Sequence, residues 1–181
     1  MTLIMGTVLT SQSTYSEGTL LNNTAVDASL IVRQAQVSGV SVREFQPGTG
    51  DFDSAYGAMF QRGLGYYFFA DRGSKNGIYD GDAACTTGSN NECLQEKDVP
   101  SGVSVSSICS ISTSDIESCN IGRVDITFVR PNVDARFVFW DLSINPMAVS
   151  SVKGVRITFH TAASGLNKSI VVYTTGQISI Q

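Results

Sequence analysis

The spacing of apolar residues changes once along this chain, at Gly39, and this change constrains the fold more than any other feature. Residues 19–38 contain neither glycine nor proline, and their apolar side chains recur at alternating steps of four and three, which predicts an amphipathic helix. Its predicted packing stripe consists of Leu21, Ala25, Ala28, Val32 and Ala35. Gly39 is the expected stop signal, because glycine readily adopts the left-handed conformation that ends many helices.

Downstream of Gly39, short β-branched and aromatic runs alternate with clusters of Gly, Pro, Asn and Ser, a pattern typical of antiparallel strands. The predicted strands span residues 40–45, 55–61, 64–70, 103–109, 123–130, 135–140, 155–161, 169–173 and 177–180. An apolar sheet face would cover the helix stripe. The predicted fold class is therefore α+β, with an N-terminal amphipathic helix packed on an antiparallel β-sheet or β-sandwich head.

Composition and missing motifs exclude several functions. A formal net charge of −4 argues against a general nucleic-acid clamp, which needs a basic stripe to contact phosphates. The single histidine, His160, excludes multi-histidine metal sites, and no nucleophile motif accompanies it. The phosphate-binding loop and the zinc-protease motif are also absent. We therefore expect a protein that is not an enzyme.

The four cysteines predict disulfide bonds. Their spacing lacks the C-x₂₋₄-C pairs of a zinc site, and the alternative is four reduced, buried thiols. Four cysteines allow three pairings, and loop-closure entropy slightly favours Cys85 with Cys93 and Cys109 with Cys119. Disulfides indicate an oxidising compartment outside the cytoplasm.

A polar segment after the second predicted strand collects oxygen ligands around two glycines. Its candidate calcium ligands are Asp71, Ser74, Asn76, Asp80 and Asp82. Calcium takes six to eight oxygen ligands in flexible geometry, which suits this composition. The spacing does not follow an EF-hand loop, and a turn rich in Asn and Asp for ordinary conformational reasons is the simpler alternative. No other cofactor is expected.

Basic residues and aromatic residues are interleaved in the C-terminal third. This pattern could form a patch for DNA or another anionic partner, although aromatic residues in strands more often belong to the core. The basic residues are Arg123, Arg130, Arg136, Lys153, Arg156 and Lys168.

The first nine residues are apolar but lack the basic region of a signal peptide, and no run reaches the roughly 18 to 20 apolar residues of a membrane-spanning helix. They look like the cut end of a longer segment, with a buried first strand or a leader segment as equal alternatives. A helix continuing upstream from residue 19 is also compatible with them. We assign residues 1–18 to this remnant and its lead-in, and residues 19–181 to one globular head, because no repeat or linker divides the chain.

Several segments carry a family resemblance. These are the apolar stub, the helix that ends in Arg33-Gln-Ala-Gln-Val-Ser-Gly39, the run Tyr66-Tyr-Phe-Phe-Ala-Asp71, the run Asp125-Ile-Thr-Phe-Val-Arg-Pro-Asn132, and the terminal Thr175-Gly-Gln-Ile-Ser179. Together they resemble type IV pilin-like proteins, the group that includes GspH-like minor pseudopilins of type II secretion and FimT-like minor pilins. The resemblance covers most of the chain, but its motifs are structural rather than catalytic.

The resemblance implies a structural or initiating subunit of a type IV pilus or type II secretion filament. Its partners would be other pilin subunits, and a hydrophobic N-terminal helix would anchor the full-length form in the inner membrane before assembly at the cell surface or in the periplasm. The chain departs from the family pattern because it lacks the G-F-T-L-x-E processing site and its glutamate. The alternatives are a pilus-associated subunit for DNA uptake or adhesion, and an unrelated secreted β-rich enzyme.

Overall fold

The computed structural model describes residues 2–41, 54–72, 74–81, 85 and 92–181. A helix, α1, spans Thr2–Val40 and precedes all the strands. The strands of the described residues are β1 (Ala55–Gln61), β2 (Tyr66–Asp71), β3 (Cys93–Lys97), β4 (Val103–Ser112), β5 (Glu117–Ile121), β6 (Arg123–Phe128), β7 (Ala135–Trp140), β8 (Pro146–Met147), β9 (Val152–Thr161), β10 (Asn167–Tyr173) and β11 (Ile178–Ile180).

The strands form two antiparallel sheets whose members interleave along the chain. The first sheet has the order β3-β2-β1-β6-β7-β8, and the second has the order β11-β10-β9-β4-β5. In the first sheet β1 pairs with β6, and in the second β4 pairs with β9. Each sheet therefore contains two adjacent strands that are far apart in sequence. Neither sheet can therefore be completed from neighbouring hairpins alone.

The predicted α+β class is wrong, because the described residues are mostly strand and contain a single helix. The helix does not lie on one sheet as a separate layer. It contacts β1, β2 and β6 of the first sheet and β9, β10 and β11 of the second. Residues of α1 and of both sheets belong to one buried cluster. The fold is therefore β-rich, and most of its apolar core comes from the facing sheets, with the helix contributing a narrow stripe.

The helix extends well beyond the predicted residues 19–38, beginning at Thr2 and ending at Val40. All five residues of the predicted packing stripe are buried. Gly39 lies inside the helix and does not stop it. A Cβ atom at Gly39 would lie 2.5 Å from the carbonyl oxygen of Phe128, so the glycine allows α1 to approach β6 closely.

Two of the predicted strands, at residues 55–61 and 135–140, have the bounds that the structure gives β1 and β7. The strand predicted at residues 40–45 begins inside α1, and residues 42–45 lie outside the described residues. Sequence analysis missed β3, β5 and β8. Each of these strands lies at an edge of its sheet, where one side lacks a neighbour and a strongly apolar sequence is not required.

The described residues between β2 and β3 cover part of the outer face of the first sheet. Tyr79 of this connection stacks on Tyr67 with ring centroids 5.3 Å apart and contacts Phe69 at 5.4 Å. Met59 completes this second buried cluster, and Cys85 and Cys93 pack against it. The strands β1 and β2 are consequently buried on both faces, which explains why their sequences are almost continuously apolar.

Candidate metal centre

The connection that covers the first sheet is held at both ends by buried carboxylates. Asp71, the last residue of β2, is 2% exposed, and Glu92, immediately before β3, is 3% exposed. We call the residues between them that the structure describes, 72, 74–81 and 85, the acidic loop. Carboxylates at such burial need hydrogen bonds or a cation to offset the loss of water.

Glu92 bridges two backbone amides of the acidic loop. Its Oε1 accepts a hydrogen bond from the amide of Arg72 at 3.0 Å, and its Oε2 accepts one from the amide of Asp80 at 2.7 Å. Each oxygen of this carboxylate therefore has a backbone donor. Glu92 therefore holds Arg72, at the start of the acidic loop, and Asp80, further along it, beside the first residue of β3.

Asp71 has a different environment, because only one of its oxygens has a partner. Its Oδ2 accepts a hydrogen bond from the amide of Gly77 at 2.7 Å. Its Oδ1 is buried and has no hydrogen-bond partner. Gly77 has a φ of 77°, in the region that favours glycine, and a Cβ there would lie 3.5 Å from the hydroxyl of Thr127.

The outer side of the acidic loop carries exposed oxygen-bearing side chains. Oδ2 of Asp80 accepts hydrogen bonds from Oγ of Ser74 at 3.1 Å and from Nδ2 of Asn76 at 3.0 Å. Oδ1 of Asn76 accepts one from the amide of Ile78 at 2.9 Å. Side-chain hydrogen bonds thus link Asp80 with Ser74 and Asn76, whereas Asp71 binds the amide of Gly77. The fifth candidate calcium ligand, Asp82, lies outside the described residues.

The charges of this region disfavour one another. Burial raises the pKa of Asp71 above its usual value, and the nearby carboxylate of Asp80 raises it further, against the lowering effect of the loop amides and of Lys75. Burial likewise raises the pKa of Glu92, and the charges of Asp71 and Asp80 add to this effect. The carboxylates of Asp71, Glu92 and Asp80 therefore repel one another, and Lys75 offsets part of this repulsion at Asp71.

A second buried carboxylate network lies on the same face of the first sheet. Asp125 is fully buried, and its Oδ1 accepts a hydrogen bond from Nη2 of Arg123 at 2.9 Å while its Oδ2 accepts one from Nε1 of Trp140 at 2.7 Å. Nη2 of Arg123 also donates to the carbonyl of Tyr79 at 2.7 Å, and its guanidinium lies 4.9 Å from the Trp140 ring. Asp125 therefore anchors the acidic loop through Arg123.

The six basic residues of the predicted patch are divided between the sheets. Arg123 on β6 and Arg136 on β7 belong to the first sheet, whereas Lys153 and Arg156 on β9 and Lys168 on β10 belong to the second. Arg130 follows β6.

Three of these basic residues form ion pairs. Arg123 pairs with Asp125, Nζ of Lys153 lies 2.7 Å from Oδ1 of Asp115, and Nη2 of Arg156 lies 2.9 Å from Oε1 of Glu117. The six residues are therefore distributed over both sheets, and three of them are paired with carboxylates.

Both of the predicted disulfides are present, Cys85 with Cys93 and Cys109 with Cys119. The first joins the acidic loop to β3, and the second joins β4 to β5. Carboxylate oxygens of Glu117 approach the second disulfide within 4.8 Å, but neither sulfur is a thiolate and the three residues cannot act as a metal site. The two disulfides indicate an oxidising location, extracellular or periplasmic.

The helix lines a cavity of about 390 Å³ on the other side of β2. Leu20, Val26 and Leu30 of α1 form its wall with Tyr66 and Pro100. The hydroxyl of Tyr66 donates a hydrogen bond to Oδ2 of Asp27 at 2.8 Å at this cavity.

Among the described residues, no helix combines the length and the apolar character needed to cross a membrane.

Sequence analysis missed Glu92, Asp125 and Trp140 as members of these sites. Glu92 lies far from Asp71 in sequence. Its carboxylate reaches the amides of Arg72 and Asp80 only because β2 pairs with β3. Asp125 alternates with the apolar residues Val124 and Ile126 along β6, and such a pattern does not distinguish a buried carboxylate from an exposed one.

Comparison with protein-family models, with curated proteins and with solved structures finds no match for this chain.

Proposed function

We propose that this chain is the head of a structural or initiating subunit of a type IV pilus or type II secretion filament. The observation that supports the proposal is the length of α1. A helix of 39 residues spans about 58 Å, whereas a compact domain of 181 residues is roughly 40 Å across. Only part of such a helix can be covered by the two sheets, so the remainder is available to pack against other subunits.

The outward side of α1 supports the same proposal. Leu30 and Val37 are both 58% exposed, and Val26 is 37% exposed. These residues are spaced by four and seven positions and so share one side of the helix, away from the buried stripe. An exposed apolar stripe on a helix is an expected contact surface between protein subunits. The disulfides are consistent with assembly in the periplasm or outside the cell.

Complementation of a strain that lacks the full-length gene tests this proposal. The double substitution Leu30→Asp with Val37→Asp should leave the isolated head folded but should abolish filament formation or secretion. Leu142→Asp is the matched control, because Leu142 is equally exposed at 59% but lies outside the helix. Normal filaments in the deletion strain, or in the double variant, would contradict the proposal.

The DNA-binding alternative has no comparable support. The basic residues are divided between two sheets, and three of the six are engaged in ion pairs. A DNA-binding subunit needs several phosphate contacts along one surface.

A further inference from the structure

The cavity lined by α1 is open to solvent, and we call it the helix groove. Its apolar surface comes from Leu20, Val26 and Leu30 of α1 and from Pro100. Val26 is 37% exposed and Leu30 is 58% exposed, so this side of the groove presents apolar side chains to water. Binding sites are typically concave surfaces of this size that combine an apolar lining with a few polar groups.

The polar groups of the helix groove include two carboxylates, those of Asp27 on α1 and of Asp98 after β3. Oδ2 of Asp27 accepts a hydrogen bond from the hydroxyl of Tyr66 at 2.8 Å and lies 3.7 Å from Nζ of Lys97. Asp98 is exposed, and none of the described residues forms an ion pair with it. Asp98 is therefore the carboxylate of the groove that is available to an incoming cation.

The hairpin that joins β1 to β2 carries a cation and an apolar side chain beside this groove. Arg62 is exposed and Leu64 is 50% exposed, and we call these two residues the hairpin tip. None of the described residues forms an ion pair with Arg62. A Cβ at the next residue, Gly65, would collide with the carbonyl oxygen of Lys97 and lie 3.4 Å from Cα of Asp98. The basic hairpin tip and the acidic groove are therefore neighbours on one surface.

Two adjacent and complementary parts make a surface able to bind a second copy of itself. In a two-fold symmetric contact both copies use the same surface, so the hairpin tip of each can meet the groove of the other. The guanidinium of Arg62 can donate two parallel hydrogen bonds to a carboxylate, which makes such pairs strong and well oriented. The side chain of Leu64 matches the apolar lining that α1 supplies. The tip and the groove are thus complementary in charge and in apolar character.

We propose that the helix groove binds the hairpin tip of a second copy of this chain, with Arg62 paired with Asp98 and Leu64 packed against Leu30. The inference rests on the proposed function, because it names the partner of the outward side of α1, to which Val26 and Leu30 belong. The contact is a two-fold one, so each charge pair occurs twice in the dimer. It is measured on the chain in solution, so dimerisation and filament formation can fail separately.

Sedimentation velocity of the purified chain over a wide range of protein concentration tests the proposal. Wild type should form dimers, and added salt should weaken them because the charge pairs are partly exposed. Asp98→Arg and Arg62→Asp should each weaken dimerisation at least tenfold, because each places like charges opposite one another. The double variant with both substitutions should recover dimerisation, because the same pair forms again with its charges reversed. Both residues are exposed, so neither substitution should prevent folding.

Matched controls make the same charge changes elsewhere on the surface. Asp134→Arg and Arg136→Asp alter two other exposed residues and should dimerise as wild type does. Amide NMR spectra recorded at increasing protein concentration locate the contact, and the shifts should concentrate in residues 20–30, 61–65 and 97–100.

The proposal is overturned if wild type stays monomeric, if Asp98→Arg and Arg62→Asp dimerise as tightly as wild type, or if the double variant does not recover. If wild type stays monomeric while hexylammonium chloride shifts the amide signals of residues 20–30, the groove takes a small cation and the proposal is equally overturned. A charge-dependent dimer together with normal filaments in the deletion strain would contradict the filament role alone. A monomeric wild type together with loss of filaments in the Leu30→Asp, Val37→Asp variant would contradict the dimer alone.

Discussion

Replacing Gly39 with alanine tests the packing of α1 on the first sheet. The added Cβ would lie 2.5 Å from the carbonyl oxygen of Phe128 and 2.9 Å from its Cβ. Ordinary contacts of a Cβ atom begin at 3.4 Å, so the helix and β6 must separate by most of an ångström. The obstacle includes backbone atoms of a central strand, and a change of side-chain rotamer cannot remove it.

The expected magnitude is the difference of two effects. Overpacking a well-filled core costs about 1 to 3 kcal/mol, whereas alanine stabilises a helix interior by about 1 kcal/mol relative to glycine. The gain is smaller here because Gly39 is next to the last helical residue. We expect the free energy of unfolding of Gly39→Ala to fall by about 1 to 2 kcal/mol. For a chain of this size, the unfolding temperature should fall by roughly 2 to 8 °C.

Gly18 provides a matched control in the same helix. A Cβ at Gly18 would meet only Cδ1 of Leu166, at 3.7 Å, which is an ordinary contact. Gly18→Ala should therefore stabilise the protein by up to about 1 kcal/mol through helix propensity alone. Urea denaturation followed by circular dichroism and by the fluorescence of the single tryptophan, Trp140, measures both variants. If Gly39→Ala proves as stable as wild type, the close approach of α1 to β6 is not as described.

Three further outcomes follow from the buried groups. Replacing both Cys109 and Cys119 with alanine should destabilise the chain by about 3 kcal/mol in urea denaturation, the loop-entropy value for a separation of 10 residues. Asp125→Ala should cost about 3 to 5 kcal/mol and red-shift tryptophan fluorescence, because a buried guanidinium and an indole N–H lose their acceptor. The raised pKa values of Asp71 and Glu92 mean that the folded state binds their protons more tightly than the unfolded state. Their contribution to stability should therefore increase as pH falls through the folded pKa towards the ordinary values of 3.8 and 4.5, and the gain in urea midpoint should be smaller in Asp71→Asn.

Local patterns predicted local features of this chain well. The stripe from Leu21 to Ala35 follows from the helical period, and the two short disulfide loops follow from the spacing of the cysteines. The fold class was wrong because it gave the helix a layer of its own, whereas α1 contacts strands of both sheets and the described residues are mostly strand. The pairing of β1 with β6 and of β4 with β9, which separates the strands into two sheets, depends on contacts that no local pattern encodes.

The acidic loop illustrates the same limit. Asp71, Ser74, Asn76 and Asp80 lie close together in sequence, so their grouping was predictable from composition. Glu92 joins them only through the pairing of β2 with β3. The burial of Asp71 was equally hidden, since it requires a loop that returns over the outer face of the first sheet. Sequence alone could therefore suggest oxygen ligands but not the carboxylate that lacks a partner.

The contact between Gln36 and the turn after β10 bears on the order of events during synthesis. Nε2 of Gln36 donates a hydrogen bond to the carbonyl of Gly176 at 3.0 Å, across 140 residues. The helix precedes β10 and β11 in the chain, yet these two strands supply part of its docking surface. The apolar stripe of α1 therefore remains partly uncovered, or is shielded by a chaperone, until β10 and β11 have been synthesised. Complete docking of the helix thus waits for the second sheet in this topology.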